Sequence, residues 1–315
     1  GLGWNQLVWM FTTFHMSLYR PVTWVTFGAD YILWGMNPFG YHLTSLLIHV
    51  ANAVVFYRIA SRLIGLALKG AQESEMILLE ISAGFAALIF SIHPLRVEAV
   101  VWLSARNDIM SGFFSLVSVY FYLHYAQPLQ AGKNGFKCLT FAVIAYALSL
   151  LSKGSSITLP AVLLLLDFYP LRRFGWERGS CFGKEQRKIW LEKLPFILLA
   201  VAASVLALVG KQESKTLWSL ETFGAAARAT QFLYGLSFYL WKTVAPWGLS
   251  PLYELRRFEP SSWQFVASAL TISLVGLAVL MTRKRWPAGV ACALYYATML
   301  APVSGIAQFG QQMGA

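Results

Sequence analysis

"HPLRVEAVVWLSARND", His93 to Asp108, separates two strongly apolar runs, and how it is read decides the fold. A connection that only has to turn the chain is served by Gly, Asn and Ser. This one carries a His, two Arg and two carboxylates. His93-Pro94 ends the preceding helix, because the residue before a proline is pushed out of the α conformation. The flanking runs approach the about 20 residues that cross a bilayer as a helix. The same character extends along the chain, which is 57% hydrophobic, 15% aromatic and only 12% charged over 315 residues. Soluble domains carry roughly 25% charged residues, so the chain reads as a membrane protein. Strand-like alternation is absent, which argues against a β-barrel. The expected class is all-α, a polytopic transmembrane helical bundle, because a spanning helix satisfies its own backbone groups.

Working outward, apolar runs lie at about 41–65, 76–92, 109–126, 138–152, 156–170, 194–210, 263–282 and 287–303. A further run at about 222–244 carries Arg228, Gln231 and Lys242, and reads as an outer-surface or re-entrant helix. Residues 1–40 are aromatic and broken by Pro21 and Asn37-Pro38, as expected of an interfacial loop with short helices lying along the membrane. The organisation is thus a 1–40 outer loop followed by a 41–315 transmembrane domain. Both chain ends read as cuts within a longer protein.

The formal net charge is +11. Lys and Arg cluster beside apolar runs, including Arg58, Arg62, Lys69, Lys133, Arg172, Arg173, Arg178 and Lys193, so they are assigned to topology and anionic lipid rather than nucleic acid. Cys138, Cys181 and Cys292 lie far apart and suggest neither a disulfide framework nor a zinc site. With the first run ending in the cytoplasm, His93–Asp108, Lys153, Lys242, Tyr253 and Gln308 all fall on the outer face beside the 1–40 loop.

Ionisable groups at membrane depth cost several kcal/mol unless paired or wet. Within the opening stretch Glu98, Trp102 and Arg106 follow i, i+4, i+8 spacing and are expected on one helical face, with Asp108 about half a turn beyond. A plain Glu98–Arg106 salt bridge would explain the pair alone. Lys153 in "LSLLSKGSS" and Lys242 in "YLWKTVAPW" add cations to the same side, although each could merely snorkel or anchor. Cations, carboxylates and aromatics collected together fit a phosphate-bearing lipid and a sugar, with Arg and Lys on the phosphate and a carboxylate as base or orienter. His42, His49 and His124 read as helix-packing polar groups, Asp167 as a helix-end residue, and Asp30 as an acid in the outer aromatic loop.

The strings "YRPVTWVTFGADYILWGMNPFGYHLTSLLIHVANAVVF", "ALIFSIHPLRVEAVVWLSARND", "LSLLSKGSSITLPAVLLLLDFYPL" and "VSGIAQFGQQM" resemble the membrane part of the transmembrane and tetratricopeptide-repeat proteins, in family order and with a bacterial-type wording. The resemblance implies a GT-C glycosyltransferase fold with outer-face interfacial helices. It implies an inverting transfer of a mannose-like sugar from a polyprenyl-phosphate donor to Ser or Thr of an acceptor protein, on the periplasmic or endoplasmic-reticulum face. It carries over to Tyr19, Arg20, Pro21, Asn37, Pro38, His42, His93, Glu98, Arg106, Asp108, Lys153, Lys242 and Gln308. It also implies a catalytic acid upstream of residue 1, and further helices and a repeat domain downstream. The candidate catalytic residues are then Glu98, Asp108 and His93. Arg106, Lys153, Lys242 and Arg20 would hold the donor phosphate; Tyr19, Trp102, Asp30, Tyr253 and Gln308 would contact acceptor, sugar or lipid. A divalent metal is compatible with this chemistry, though no cluster demands one. The rival readings are a transporter or flippase of a lipid-linked sugar, and a non-catalytic membrane scaffold.

Overall fold

The computed structural model describes residues 2–15, 18–68, 73–127, 135–174, 183–213, 224–250, 253 and 262–303. Gln308 and Cys181 lie outside the described residues, as do Lys69, Lys133 and Arg178 of the basic clusters. The chain forms two compact units, 1–210 and 211–315. The described residues are helical, without a β-strand, as the composition requires. Among the described residues six helices are long and apolar enough to cross a membrane: 38–67, 75–92, 103–126, 135–152, 186–210 and 263–282.

The first unit opens with α1 (Trp4–Thr12) and α2 (Pro21–Trp34), the short helices expected before the first span. The long α3 (Pro38–Ala67) starts where the sequence marks it. The Asn37 side chain accepts the Phe39 amide at 3.1 Å and Pro38 occupies the first turn, where its missing N–H costs nothing. Next come α4 (Glu73–Ile92), a short α5 (Val97–Val101), α6 (Arg106–Ala126) and α7 (Gly135–Ser152). The run expected at 156–170 is instead a 3-10 turn over 154–158 and α8 (Leu159–Phe168), too short for a full crossing. The unit closes with α9 (Lys184–Glu213).

Its core gathers Ile59, Tyr122, Leu123, Tyr146, Leu163 and Phe196. The α6–α7 seam is narrow and bonded by hydroxyls. Ser118 Oγ donates to Ala142 O at 2.8 Å, and Ser149 Oγ to Ser111 O at 2.8 Å. Small polar residues let transmembrane backbones approach and bond across the seam. Outward faces such as Ile77, Leu78, Ile81 and Phe85 on α4 are exposed, as befits surfaces meeting lipid. Within the core the Tyr146 hydroxyl is buried with no hydrogen-bond partner. Tyr146→Phe removes that unsatisfied group and keeps the ring. It is expected to leave stability unchanged or raise it by about 1 kcal/mol, measured as the unfolding midpoint in mixed micelles.

One end of this bundle is held by an ionic knot that joins α6, α8 and α9. The Tyr122 hydroxyl lies 2.7–2.8 Å from both Asp167 carboxylate oxygens. Lys193 Nζ pairs with Asp167 Oδ2 at 2.5 Å, and Arg173 bridges Asp167 Oδ1 at 3.0 Å and Glu192 Oε2 at 2.7 Å. Tyr125 donates to Glu192 Oε1 at 2.6 Å. Asp167, Lys193 and Tyr122 are wholly buried, and the two acids balance the two bases. Asp167 is therefore more than the helix-end residue expected from its position, and Lys193 more than a topology signal.

The second unit contains α10 (Ala225–Val244), α11 (Trp263–Thr282) and α12 (Pro287–Leu300). Helix α11 contacts both of the others, and Tyr296 on α12 donates to Leu236 O on α10 at 2.6 Å. The run 287–303 forms one of the shorter apolar helices.

Candidate functional site at one end of the first unit

Chain alternation brings the C-termini of α4 and α7 and the N-termini of α3 and α6 to one end, where α2 lies across them. Four interactions fix α2 there. Thr23 donates to Ser152 O at 3.1 Å. Arg106, at the start of α6, forms an ion pair with Asp30. The same guanidinium donates to Tyr41 O at 2.6 Å and to Ser45 Oγ at 3.1 Å. Thr44 donates to the other Asp30 oxygen at 2.7 Å. Phe27 lies 4.4 Å from the Arg106 guanidinium, as a cation–π partner. Arg106 is 0% exposed and Asp30 2%.

This geometry corrects the expected shared face of Glu98, Trp102 and Arg106. The helix stops at Val101, Trp102 is extended (ψ 111°), and a 3-10 turn over Leu103–Ala105 intervenes before α6 begins. Each break rotates the next side chain, so the i, i+4, i+8 register is lost. Glu98 is exposed and makes no ion pair with a described residue. Trp102 is also exposed. Arg106 turns inward to Asp30, 76 residues away in sequence, and its donors are committed to the protein.

Asp108 and Lys153, by contrast, do come together. Lys153 Nζ lies 2.6 Å from Asp108 Oδ1, with side chains 23% and 40% exposed. Asp108 sits in the first turn of α6, where the helix dipole favours an anion. Beneath the pair, Ser149 joins Ser115 and Ser156 at 2.8 Å and Ser111 at 3.1 Å, so α6, α7 and the 154–158 turn are tied around it.

At the same end a cleft of about 680 Å³ opens between α1, α2 and the 103–104 turn. Trp9, Trp24, Phe27, Tyr31 and Tyr41 line it, with Arg20 as its charged wall. Tyr19, expected to contact acceptor, sugar or lipid, does not line it and donates to Phe11 O at 2.9 Å. At Gly28 a Cβ would meet the Leu2 side chain at 2.5 Å and that of Met10, on α1, at 3.4 Å. Arg20 is half-buried and stacks on Trp24, 5.4 Å from the ring centroid. It makes no hydrogen bond to another side chain. Burial pushes its guanidinium below its ordinary value, and the nearby Asp108 carboxylate opposes that shift.

The remaining expected residues fall elsewhere. His93 accepts the Leu95 amide at 3.2 Å and caps the turn after α4. Lys242 and Tyr253 belong to the second unit. There Lys242 donates to the carbonyls of Trp247 and Gly248 and lies 5.7 Å from the Phe238 ring, while Tyr253 accepts the Ser250 amide at 2.9 Å. His49 and His124 pack as polar groups, to Ser91 O at 2.9 Å and Arg62 at 2.6 Å, whereas His42 is exposed. Among the described residues no three His, Cys, Asp or Glu side chains converge as a metal site requires. Sequence reasoning missed Phe27, Tyr41, Thr44 and Ser45, whose only signal is their place in the aromatic stretch around Asp30.

The chain is 28% identical over 168 residues to protein O-mannosyl-transferase Tmtc3 of Drosophila melanogaster, covering 48% of this chain and 17% of that protein. It is 29% identical over 168 residues to human protein O-mannosyl-transferase TMTC4, covering 51% and 22% respectively. With mouse protein O-mannosyl-transferase TMTC4 the match runs over 301 residues at 25% identity, 84% of this chain and 39% of that protein. These relatives are named as protein O-mannosyl-transferases, and the chain spans only 17% to 39% of their lengths. No family model and no solved structure matches the chain.

Proposed function

We propose that this chain is the membrane part of a glycosyltransferase that moves a mannose-like sugar from a polyprenyl-phosphate donor to a Ser or Thr hydroxyl of an acceptor protein. The transfer takes place on the outer face of a multi-pass membrane protein, the periplasmic face in the bacterial-type reading. The relatives' names support the reaction class. The observation that carries the reading is Arg20, a half-buried guanidinium in an aromatic cleft with no side-chain acceptor among the described residues. A desolvated, pre-oriented guanidinium is suited to a phosphate oxygen, and flat rings suit a sugar or isoprenoid.

In an inverting transfer the acceptor oxygen bonds to the sugar's anomeric carbon as the bond from that carbon to the phosphate oxygen breaks. The bonding pair leaves with the phosphate and the acceptor proton passes to a carboxylate. The phosphate thereby gains negative charge, and cations aimed at that charge lower the barrier. Of the first-unit cations expected to hold the phosphate, Arg20 and Lys153 serve this part, since Arg106 serves the scaffold.

The test uses the full-length protein, labelled polyprenyl-phosphate mannose and Ser/Thr peptides. Wild type is expected to transfer label, and Arg20→Ala to lose roughly a hundredfold in rate, the scale for removing one pre-organised charge-stabilising donor. No transfer by wild type with any sugar or peptide offered, or full transfer by Arg20→Ala, would count against the reading.

A further inference from the structure

We propose that the Asp108 carboxylate is the resident occupant of the anion seat, holding Lys153 until the donor phosphate displaces it and takes both Lys153 and Arg20. The inference deepens the donor reading above and rests on it.

Three observations carry it. First, the Asp108–Lys153 pair is partly open to solvent, with side chains 40% and 23% exposed, unlike the sealed Arg106–Asp30 pair at 3% or less. An open pair exchanges partners at small cost, because exposed ion pairs are worth only about 0–1 kcal/mol. Second, the scaffold brings Arg20 towards the same place. Arg20 caps α2, and Thr23 in the first turn of that helix bonds Ser152 O, the residue before Lys153. Leu103 and Ser104, just before Asp108 in the chain, line the cleft that Arg20 walls. The influence of Asp108 on the Arg20 guanidinium agrees with this placement. Third, the charges fit a phosphate. Arg20 and Lys153 with Asp108 sum to one positive charge, which matches the single negative charge of a phosphodiester donor. Once transfer has made the polyprenyl phosphate more negative, two cations without their carboxylate partner match it better still.

A carboxylate that competes for the seat must weaken binding when present, whereas one that merely supports the lysine must strengthen it. The two roles therefore differ in sign. The experiment measures binding of a polyprenyl phosphate without sugar to the full-length protein in lipid nanodiscs. Asp108→Asn, which keeps size and polarity but loses charge, is expected to bind about two- to fivefold more tightly than wild type, the scale of one weak ion pair relieved. Lys153→Met is expected to bind at least tenfold more weakly. Asp108→Ser provides a second removal of the charge, should the asparagine disturb the helix start. If wild type binds and both Asp108 variants bind equally or less tightly, the exchange is overturned while the donor reading stands. If wild type binds no polyprenyl phosphate, both fall.

Discussion

Replacing Arg106 by alanine is expected to cost about 3–5 kcal/mol of stability, the scale for breaking a buried ion pair by removing one partner. The deletion leaves Asp30 at 2% exposure with only Thr44 to satisfy it. It also strips donors from Tyr41 O and Ser45 Oγ. Because the three partners sit on α2 and α3 while Arg106 begins α6, the loss should loosen α2 from the bundle. Detergent-titrated unfolding of wild type and variant measures it. Adding Asp30→Ala to Arg106→Ala should recover part of the loss, because no charge is then left buried and residues in one network are non-additive. A cost below about 1 kcal/mol would show that the pair is better solvated than its burial implies.

The second large effect is expected at the opposite end. Asp167→Ala leaves Lys193, itself 0% exposed, without its carboxylate, and again about 3–5 kcal/mol should be lost. Tyr122 also loses its acceptor, and Arg173 keeps Glu192 and the Tyr122 hydroxyl. The companion Asp167→Ala with Lys193→Met should be milder than Asp167→Ala alone, since an apolar replacement of both charges is often tolerated. Equal losses in the single and double variants would contradict the pairing. Donor binding offers a control, because this knot lies away from the Arg20 cleft and should affect it only through global stability.

These two pairs also show where the sequence could and could not be read. The helical bundle was legible because long apolar runs and Pro punctuation are local signals; Asn37-Pro38 and His93-Pro94 mark real helix boundaries. The gathering of Asp108, Lys153 and Arg20 at one end was legible too, because alternation of spans fixes which ends meet. The shared face of Glu98 and Arg106 was not. Nothing in "VVWLSAR" announces a break, since neither Gly nor Pro occurs there, and the turn at Trp102 is settled by Arg106 reaching a distant Asp30. Asp167 and Lys193 likewise find each other across 26 residues. Periodicity reports which face of a helix is apolar, but not which opposite charge waits on another helix.

Phe27 and Tyr41 each belong to two structures at once: they pack on the Arg106 guanidinium and they line the cleft. A library randomised at both positions and selected for expression alone should therefore still return mostly flat rings. The chemistry of the binding wall would then be inherited from the demands of assembly, preserved through generations in which nothing screened for it.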